Sequence, residues 1–255
     1  MAAIKPYYAP GSLSAAFYDV VTAADARLAG DVALYAGLAP AGGAVLELGA
    51  GSGRVSAALA ERGFAVTGVD LSRAMLAQAE QRRGALPAEA AARLALRLGD
   101  MTGLDLKRTF DLVVCPYFTL AHVPAGQAWS NTFRTAARHL GPGGLAAFHL
   151  PLLALMRQAG APDPAAVVLD EPLPGGGRLR LRVLERRFRE EVGRLEQVIE
   201  YEQLDARGAS LRRSAERLAY YMADPVAPAQ AAGLILDREP VSVGGVGDIW
   251  VFRRA

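Results

Sequence analysis

A short apolar run, residues 44–48, empties into Gly49-Ala50-Gly51-Ser52-Gly53 and then into a stretch of helical periodicity, residues 54–62. This feature constrains the fold more than any other. The glycines permit a sharp turn and leave bare backbone N–H groups at a helix N-terminus, where a ligand can lie close. The alternation then continues. Residues 64–69 form a second strand, and residues 72–83 a helix with Ser72 as its N-cap. Residues 94–98 and 110–115 supply the third and fourth strands. A helix over 129–140 is stopped by Gly141-Pro142-Gly143-Gly144, and a fifth strand covers 145–150. Short apolar strands alternating with helices predict an α/β fold, with a mostly parallel sheet covered on both faces.

The flanks differ. Residues 11–38 carry apolar positions at helical spacing (Phe17, Val20, Val21, then Val32, Leu34, Tyr35) and predict helix up to Pro40. Beyond Pro172, residues 178–188, 194–204 and 210–221 alternate apolar with charged, which predicts an antiparallel meander with one wet face. Its Arg and Glu residues are expected to pair across strands. A helix over 227–232 and strands over 234–243 and 248–253 close the chain. The predicted organisation is a helical N-terminal lid (1–43), a sheet domain (44–172 and 222–255) and an inserted antiparallel meander (173–221).

With 255 residues, the chain is long enough for one domain carrying such an insertion. Its net charge of +2 is too small to imply a nucleic-acid or membrane partner. Cys115 is the single cysteine, so no internal disulfide forms and no cysteine-rich metal site is expected. Residues 1–10 lack the charged head and apolar run of a signal peptide. The apolar stretch 145–156 is broken by His149 and Pro151 and is too short to span a bilayer. These features predict a cytoplasmic protein with no membrane, nucleic-acid or metal partner.

Three acids sharpen the glycine turn. Glu47 sits inside the first strand, where a carboxylate is costly to bury without a role. Asp70 ends the second strand, where an acid can bridge ribose hydroxyls, and Asp100 follows the third strand. In open α/β sheets, ligands bind outside the carboxyl ends of the strands. A nicotinamide-binding fingerprint would place its third glycine one position later, and Arg54 is the lone basic group near the turn.

The motifs LELGAGSGR, VTGVDLSRAMLAQA, LGDMTGLDL, FDLVVCPYFTLAHV and HLGPGGLAAF, in this order, closely resemble those of class I S-adenosylmethionine-dependent methyltransferases. The resemblance implies a Rossmann-like sheet with an antiparallel final strand and S-adenosyl-L-methionine as cofactor. It implies that Gly49, Gly51 and Gly53 lie along the methionine part, that Glu47 and Ala50 also belong to the cofactor site, and that Asp70 holds the ribose hydroxyls. Leu71 and Met75 would flank the adenine. Asp100 would accept from the adenine amine, Met101 would contact the ring through its backbone, and the Cys115 backbone would lie near the cofactor's amino group. Phe17-Tyr18-Asp19 resembles the lid of small-molecule methyltransferases, making Tyr18 and Arg27 candidates for the cofactor carboxylate. The meander resembles a substrate cap, which favours a small-molecule acceptor.

Methyl transfer from a sulfonium needs alignment and exclusion of water, and at most one base. His122, just past the fourth strand, is the candidate catalytic base or acceptor-positioning group. Of the other two histidines, His139 at a helix C-terminus suits a structural role as a cation on the helix dipole. His149, near the end of the fifth strand, is a candidate for substrate binding, as are Tyr117, Phe118 and Tyr221. Cys115-Pro116-Tyr117-Phe118 lacks the polar first residue that nucleobase amine methyltransferases carry there. Tyr7, Tyr8, Tyr117, Tyr220 and Tyr221 are candidates for an aromatic wall facing an amine. Nitrogen and oxygen acceptors both stay open, as do a non-methylating cofactor-binding protein and a macromolecule methyltransferase. The free edge of the meander offers a pairing surface for a homodimer.

Overall fold

The structure, a computed structural model, describes residues 3–157 and 161–255. In chain order its elements are β1 (Lys5–Pro6), α1 (Leu13–Ala16), α2 (Tyr18–Ala24), α3 (Asp31–Ala36), β2 (Ala44–Leu48), α4 (Arg54–Glu61), β3 (Ala65–Asp70), α5 (Arg73–Gly84), α6 (Ala88–Arg93), β4 (Leu94–Leu98) and β5 (Phe110–Cys115). Then come α7 (Gln127–His139), β6 (Leu140–Pro151), α8 (Leu153–Arg157), β7 (Val167–Pro172), β8 (Arg178–Arg189), β9 (Arg194–Leu204), β10 (Ser210–Tyr221), α9 (Val226–Ala231), β11 (Leu234–Leu236), β12 (Val241–Val243) and β13 (Gly247–Arg254). They divide into two compact units, Met1–Ala26 with Leu153–Met222, and Arg27–Leu152 with Ala223–Ala255.

The larger unit holds an eight-stranded sheet in the order β11-β13-β6-β5-β2-β3-β4, with β12 paired to β13. Strands β4, β3, β2, β5 and β6 are parallel neighbours, while β13 runs antiparallel to β6. The parallel strands alternate between two dry faces. Leu46, Leu48, Val113, Cys115, Ala146 and Phe148 pack on one side with Trp129 and Phe133 of α7. Val45, Leu112, Val114, Ala147, Ile249 and Val251 pack on the other with Tyr35 of α3 and Leu59 of α4. Burial of both faces is why these strands read as unbroken apolar runs. The chain leaves β2 for β3 on one side and returns to β5 on the other. The β2 turn is thus a topological switch point, where open α/β sheets bind ligands.

The smaller unit holds a five-stranded sheet in the order β1-β10-β9-β8-β7. Strands β8 to β10 are the expected meander, and β1 and β7 extend it on either side. The dry face carries Leu179, Leu181, Ile199, Tyr201 and Leu218, packed with Leu13, Phe17 and Val20. The wet face is a lattice of cross-strand ion pairs, such as Arg182 with Glu200 at 3.2 Å and with Glu202 at 3.0 Å.

Three expectations need correction. The helix expected over residues 11–38 is three short helices, because its apolar residues serve two cores. Val20 and Val21 belong to the smaller unit, whereas Val32 and Tyr35 belong to the larger. Gly30, at φ 95°, breaks the chain between them. The strand expected over 234–243 is two strands, β11 and β12, both paired to β13. Strand β6 also begins earlier than expected, at Leu140, because Leu140 already pairs with Phe110; the register then shifts across residues 141–144 and the ladder resumes at Leu145.

Candidate functional site

The glycine turn takes its shape from backbone that only glycine adopts cheaply. Gly49, Gly51 and Gly53 hold φ of 74°, 56° and 80°. The Gly49 and Ala50 N–H groups donate to the Val69 carbonyl at 2.8 and 2.9 Å, which ties the turn to β3. Gly51 N–H donates to Asp70 Oδ2 at 2.8 Å, and Ser72 N–H donates to Asp70 Oδ1 at 2.7 Å. Burial raises the Asp70 carboxyl above its ordinary range, and the donors from Ser72 and Gly51 oppose that rise. Each carboxylate oxygen keeps a lone pair for a further donor such as a ribose hydroxyl. Ser72 caps α5 as expected, accepting Met75 N–H at 3.3 Å.

Leu71 follows Asp70 with 72% of its surface exposed, an apolar platform beside the acid. Met75 is buried beneath the same turn. Asp100 lies in an exposed turn and accepts from both the backbone and the hydroxyl of Thr102 at 2.8 Å. Met101 packs against the core beside it. The Cys115 thiol is fully buried and burial pushes its pKa up, so this residue meets a ligand through its backbone or not at all.

Beneath the turn lies a polar layer on the face covered by α3 and α4. Glu47 is 2% exposed and accepts from the Ser56 hydroxyl, and burial pushes its carboxyl up to about 8. Arg54 grips Asp31 through two hydrogen bonds, at 3.1 and 2.5 Å. That bidentate pair pins the N-terminus of α4 to the N-terminus of α3.

The turn after β5 stores backbone strain. Tyr117 and Phe118 have φ of 46° and 62°, an unfavourable region for aromatic residues. Their rings stack at 5.4 Å. Phe118 N–H donates to the His149 carbonyl at 3.1 Å, and Thr119 Oγ1 donates to the Pro116 carbonyl at 2.8 Å. Thr119 also presses on Gly49: a β-carbon on Gly49 would overlap Thr119 Cγ2. His122 ends the single 3-10 turn that follows, and burial pushes its imidazole down to about 4. His149 lies fully buried at the end of β6, and burial likewise lowers it to about 4.

The larger unit thus brings together Glu47, the glycine turn, Asp70, Leu71, Asp100, Met101, Cys115, Tyr117, Phe118, His122 and His149. Arg27 opens this unit and is exposed, and its backbone packs tightly against Gly244. Tyr18 and Tyr221 belong to the smaller unit. There the Tyr18 ring meets Tyr8 edge-on at 5.8 Å, and Arg194 lies over the Tyr221 ring at 5.6 Å. His139 is structural, but not as a cation on the helix dipole. Its Nε2 accepts Leu106 N–H at 2.9 Å and its Nδ1 faces the Thr135 carbonyl at 2.8 Å, a pattern that suits the uncharged Nδ1–H tautomer. Sequence reading missed Thr119, Ser56 and the Tyr35 hydroxyl. Thr119 and Ser56 matter through the residues they touch, Gly49 and Glu47, and the Tyr35 hydroxyl through its burial without a hydrogen-bond partner among the described residues; none carries a motif of its own.

Residues 45–144 match the family model described as a methyltransferase domain. Over that segment the chain is similar to methyltransferase domains. S-adenosylmethionine is the cofactor of such domains, and the left-handed glycines, the half-buried Asp70 and the exposed Leu71 fit it in polarity and form. The chain is similar to the cypemycin N-terminal methyltransferase of a Streptomyces species, 37% identical over 130 residues that make up 51% of each protein. It is also similar to a dTDP-4-amino-2,3,4,6-tetradeoxy-D-glucose N,N-dimethyltransferase of Saccharopolyspora spinosa, 35% identical over 81 residues, 32% of this chain and 29% of that one. The match spans about half or less of the length of these curated relatives. Among solved structures, the sugar N-methyltransferase KedS8 of Streptoalloteichus shares the fold, with a TM-score of 0.73, 21% identity, and coverage of 100% of this chain and 99% of that one. The sheet of the larger unit therefore follows a known arrangement, a parallel set of strands with an antiparallel strand beside it. No helix among the described residues is long and apolar enough to cross a membrane.

Proposed function

We propose that this protein is an S-adenosylmethionine-dependent N-methyltransferase whose acceptor is the amino group of a small molecule, with an amino sugar as the leading class. The observation that carries this reading is the state of the two histidines in the larger unit. Burial holds both His122 and His149 near 4, so at neutral pH each is uncharged and weakly basic. A hydroxyl acceptor needs a base strong enough to share its proton during transfer, and these imidazoles are poorly matched to that work. An amine gives up its extra proton to solvent before it binds, and the neutral form then carries its own lone pair and needs only alignment.

When bound, S-adenosylmethionine supplies a methyl group on a positively charged sulfur, a leaving group that needs no acid. The chain's own residues orient and exclude water. Asp70 holds hydroxyls, the glycine turn offers backbone at close approach, and the strained Tyr117-Phe118 turn fixes the aromatic rings next to the end of β5. Such pre-organisation is a large part of what an in-line displacement requires. His122 would accept a hydrogen bond from the acceptor. The names of the relatives, an N-terminal, an N,N-dimethyl and a sugar N-methyltransferase, support a nitrogen acceptor.

The test is a competition assay. Purified protein and methyl-labelled S-adenosylmethionine are offered a thymidine-diphosphate amino sugar together with its hydroxyl analogue, and products are read by mass spectrometry. Methylation of the amine alone is expected. Methylation of the hydroxyl analogue instead would overturn the reading.

A further inference from the structure

His149 is the most exceptional side chain of the larger unit. It is 0% exposed, yet neither ring nitrogen has a hydrogen-bond partner among the described residues. The Tyr35 hydroxyl is equally buried and equally without such a partner. A buried polar atom left unsatisfied costs free energy that native folds seldom spend without reason.

The imidazole is held by packing alone. Phe118 meets it edge-on with centroids 4.8 Å apart. On another side lies Gly247, where a β-carbon would stand 2.8 Å from His149 Nε2 and 2.5 Å from Phe118 Cε1. Any other residue at Gly247 would therefore crowd the ring. The strained turn at Phe118 is built on the same residue, through its N–H bond to the His149 carbonyl at 3.1 Å. The imidazole is thus fixed in place while its nitrogens are left free, the arrangement expected of a group kept for a ligand.

Its position says which ligand. In the sheet, Cys115 of β5 pairs with Phe148 of β6, so His149 stands one residue past that rung at the carboxyl end. Glu47, Val114 and Ala147 share a rung on the face to which His149 also belongs, and Asp31 and Arg54 act on its charge from that side. The glycine turn and Asp70 lie with β2 and β3, on one side of the switch point. His149 lies with β5 and β6, on the other. Most of the proposed cofactor features lie on the first side and reach the second only at the Cys115 backbone of β5, which leaves the β6 side for the acceptor.

We propose that His149 is an acceptor-binding residue: one ring nitrogen accepts the N–H of the amine to be methylated and turns that amine's lone pair away from the protein. This rests on the N-methyltransferase reading above. An uncharged imidazole of low basicity suits the task, because it orients the amine without taking its proton and so without leaving a charge in the core. The proton released after transfer passes to solvent.

The test uses the full chain, labelled S-adenosylmethionine, and two probes, a thymidine-diphosphate amino sugar and a peptide with a free N-terminal alanine. His149→Phe keeps the ring's bulk and removes both nitrogens. It is expected to raise the KM for the probe that wild type methylates by at least about tenfold, while S-adenosylhomocysteine affinity stays within about twofold. His149→Asn retains an acceptor oxygen and is expected to recover part of the loss, which a purely structural role would not produce. If His149→Phe fails to fold, the KM of His149→Gln against that of His149→Leu gives the same comparison. Wild-type KM and kcat in either apolar variant would overturn the proposal. Failure of wild type itself to methylate both probes, with S-adenosylhomocysteine still bound, would overturn the N-methyltransferase reading and this proposal with it.

Discussion

Asp70 Oδ2 accepts the Gly51 N–H at 2.8 Å, so the acid at the end of β3 and the glycine turn after β2 form one hydrogen-bonded unit. On the proposed reading, replacing the acid does two things: it removes a ligand for the ribose and it loosens the glycine turn. Asp70→Ala is expected to weaken S-adenosylhomocysteine binding by on the order of 1–3 kcal/mol, the cost of a lost charge-assisted bond. Titration calorimetry reads this directly. Unchanged affinity would mean that the ribose lies elsewhere.

Gly49 is constrained twice, by its φ of 74° and by the Thr119 side chain that occupies the space a β-carbon would need. Gly49→Ala should lower stability by roughly 1–3 kcal/mol and impair cofactor binding. Adding Thr119→Ser, which deletes the clashing methyl, should restore part of the stability in urea denaturation. Two losses that simply add would refute the contact as the cause.

Glu47 makes a pH-dependent prediction with a definite sign. Its folded value, about 8, lies above an ordinary value of about 4.5, so the folded chain holds a proton that the unfolded chain releases. Its contribution to stability is full below about 4.5 and is lost as pH rises toward 8. His122 and His149 act in the opposite sense. They are lowered from about 6.5 to about 4, so their contribution is present above 6.5 and lost as pH falls toward 4. Stability set by these three groups should therefore peak near 6.5 and decline on the alkaline side. Glu47→Gln should flatten the alkaline limb and leave the acid limb intact, as followed by thermal unfolding from pH 4 to pH 9. An alkaline limb that survives the substitution would assign it to another group.

Tyr117 holds φ at 46° and is only partly buried. Asn tolerates that backbone better than Tyr. Tyr117→Asn is expected to leave stability unchanged or raise it by about 1 kcal/mol, while turnover falls because the Phe118 ring loses its stacking partner. Lower stability with full turnover would show that the strain has no role at the site.

The parallel sheet was legible in sequence because its central strands, β2, β3, β5 and β6, are buried on both faces and their turns carry a glycine or a cap. Residues 44–53 and Ser72 are the clearest cases. The meander was legible for the complementary reason: Arg182, Glu200 and Glu202 pair with one another on one face while Leu181 and Ile199 pack on the other. What sequence could not reveal depends on register between distant elements. Periodicity alone joined Val20 to Val32 in one helix, whereas the two belong to different cores. Asp70 and Asp100, the acids proposed for the cofactor, stood out in sequence by lying at strand ends. The isolation of His149 did not, since an imidazole without partners is a property of its surroundings and leaves no trace in the residue string.

The measurement that bears most directly on the account is proton–carbon correlation NMR of the product formed from carbon-13-methyl S-adenosylmethionine and a thymidine-diphosphate amino sugar. An N-methyl resonance that appears with wild-type protein and grows with time is the predicted result. An O-methyl resonance in its place, or no labelled product at all while the cofactor is bound, would contradict it.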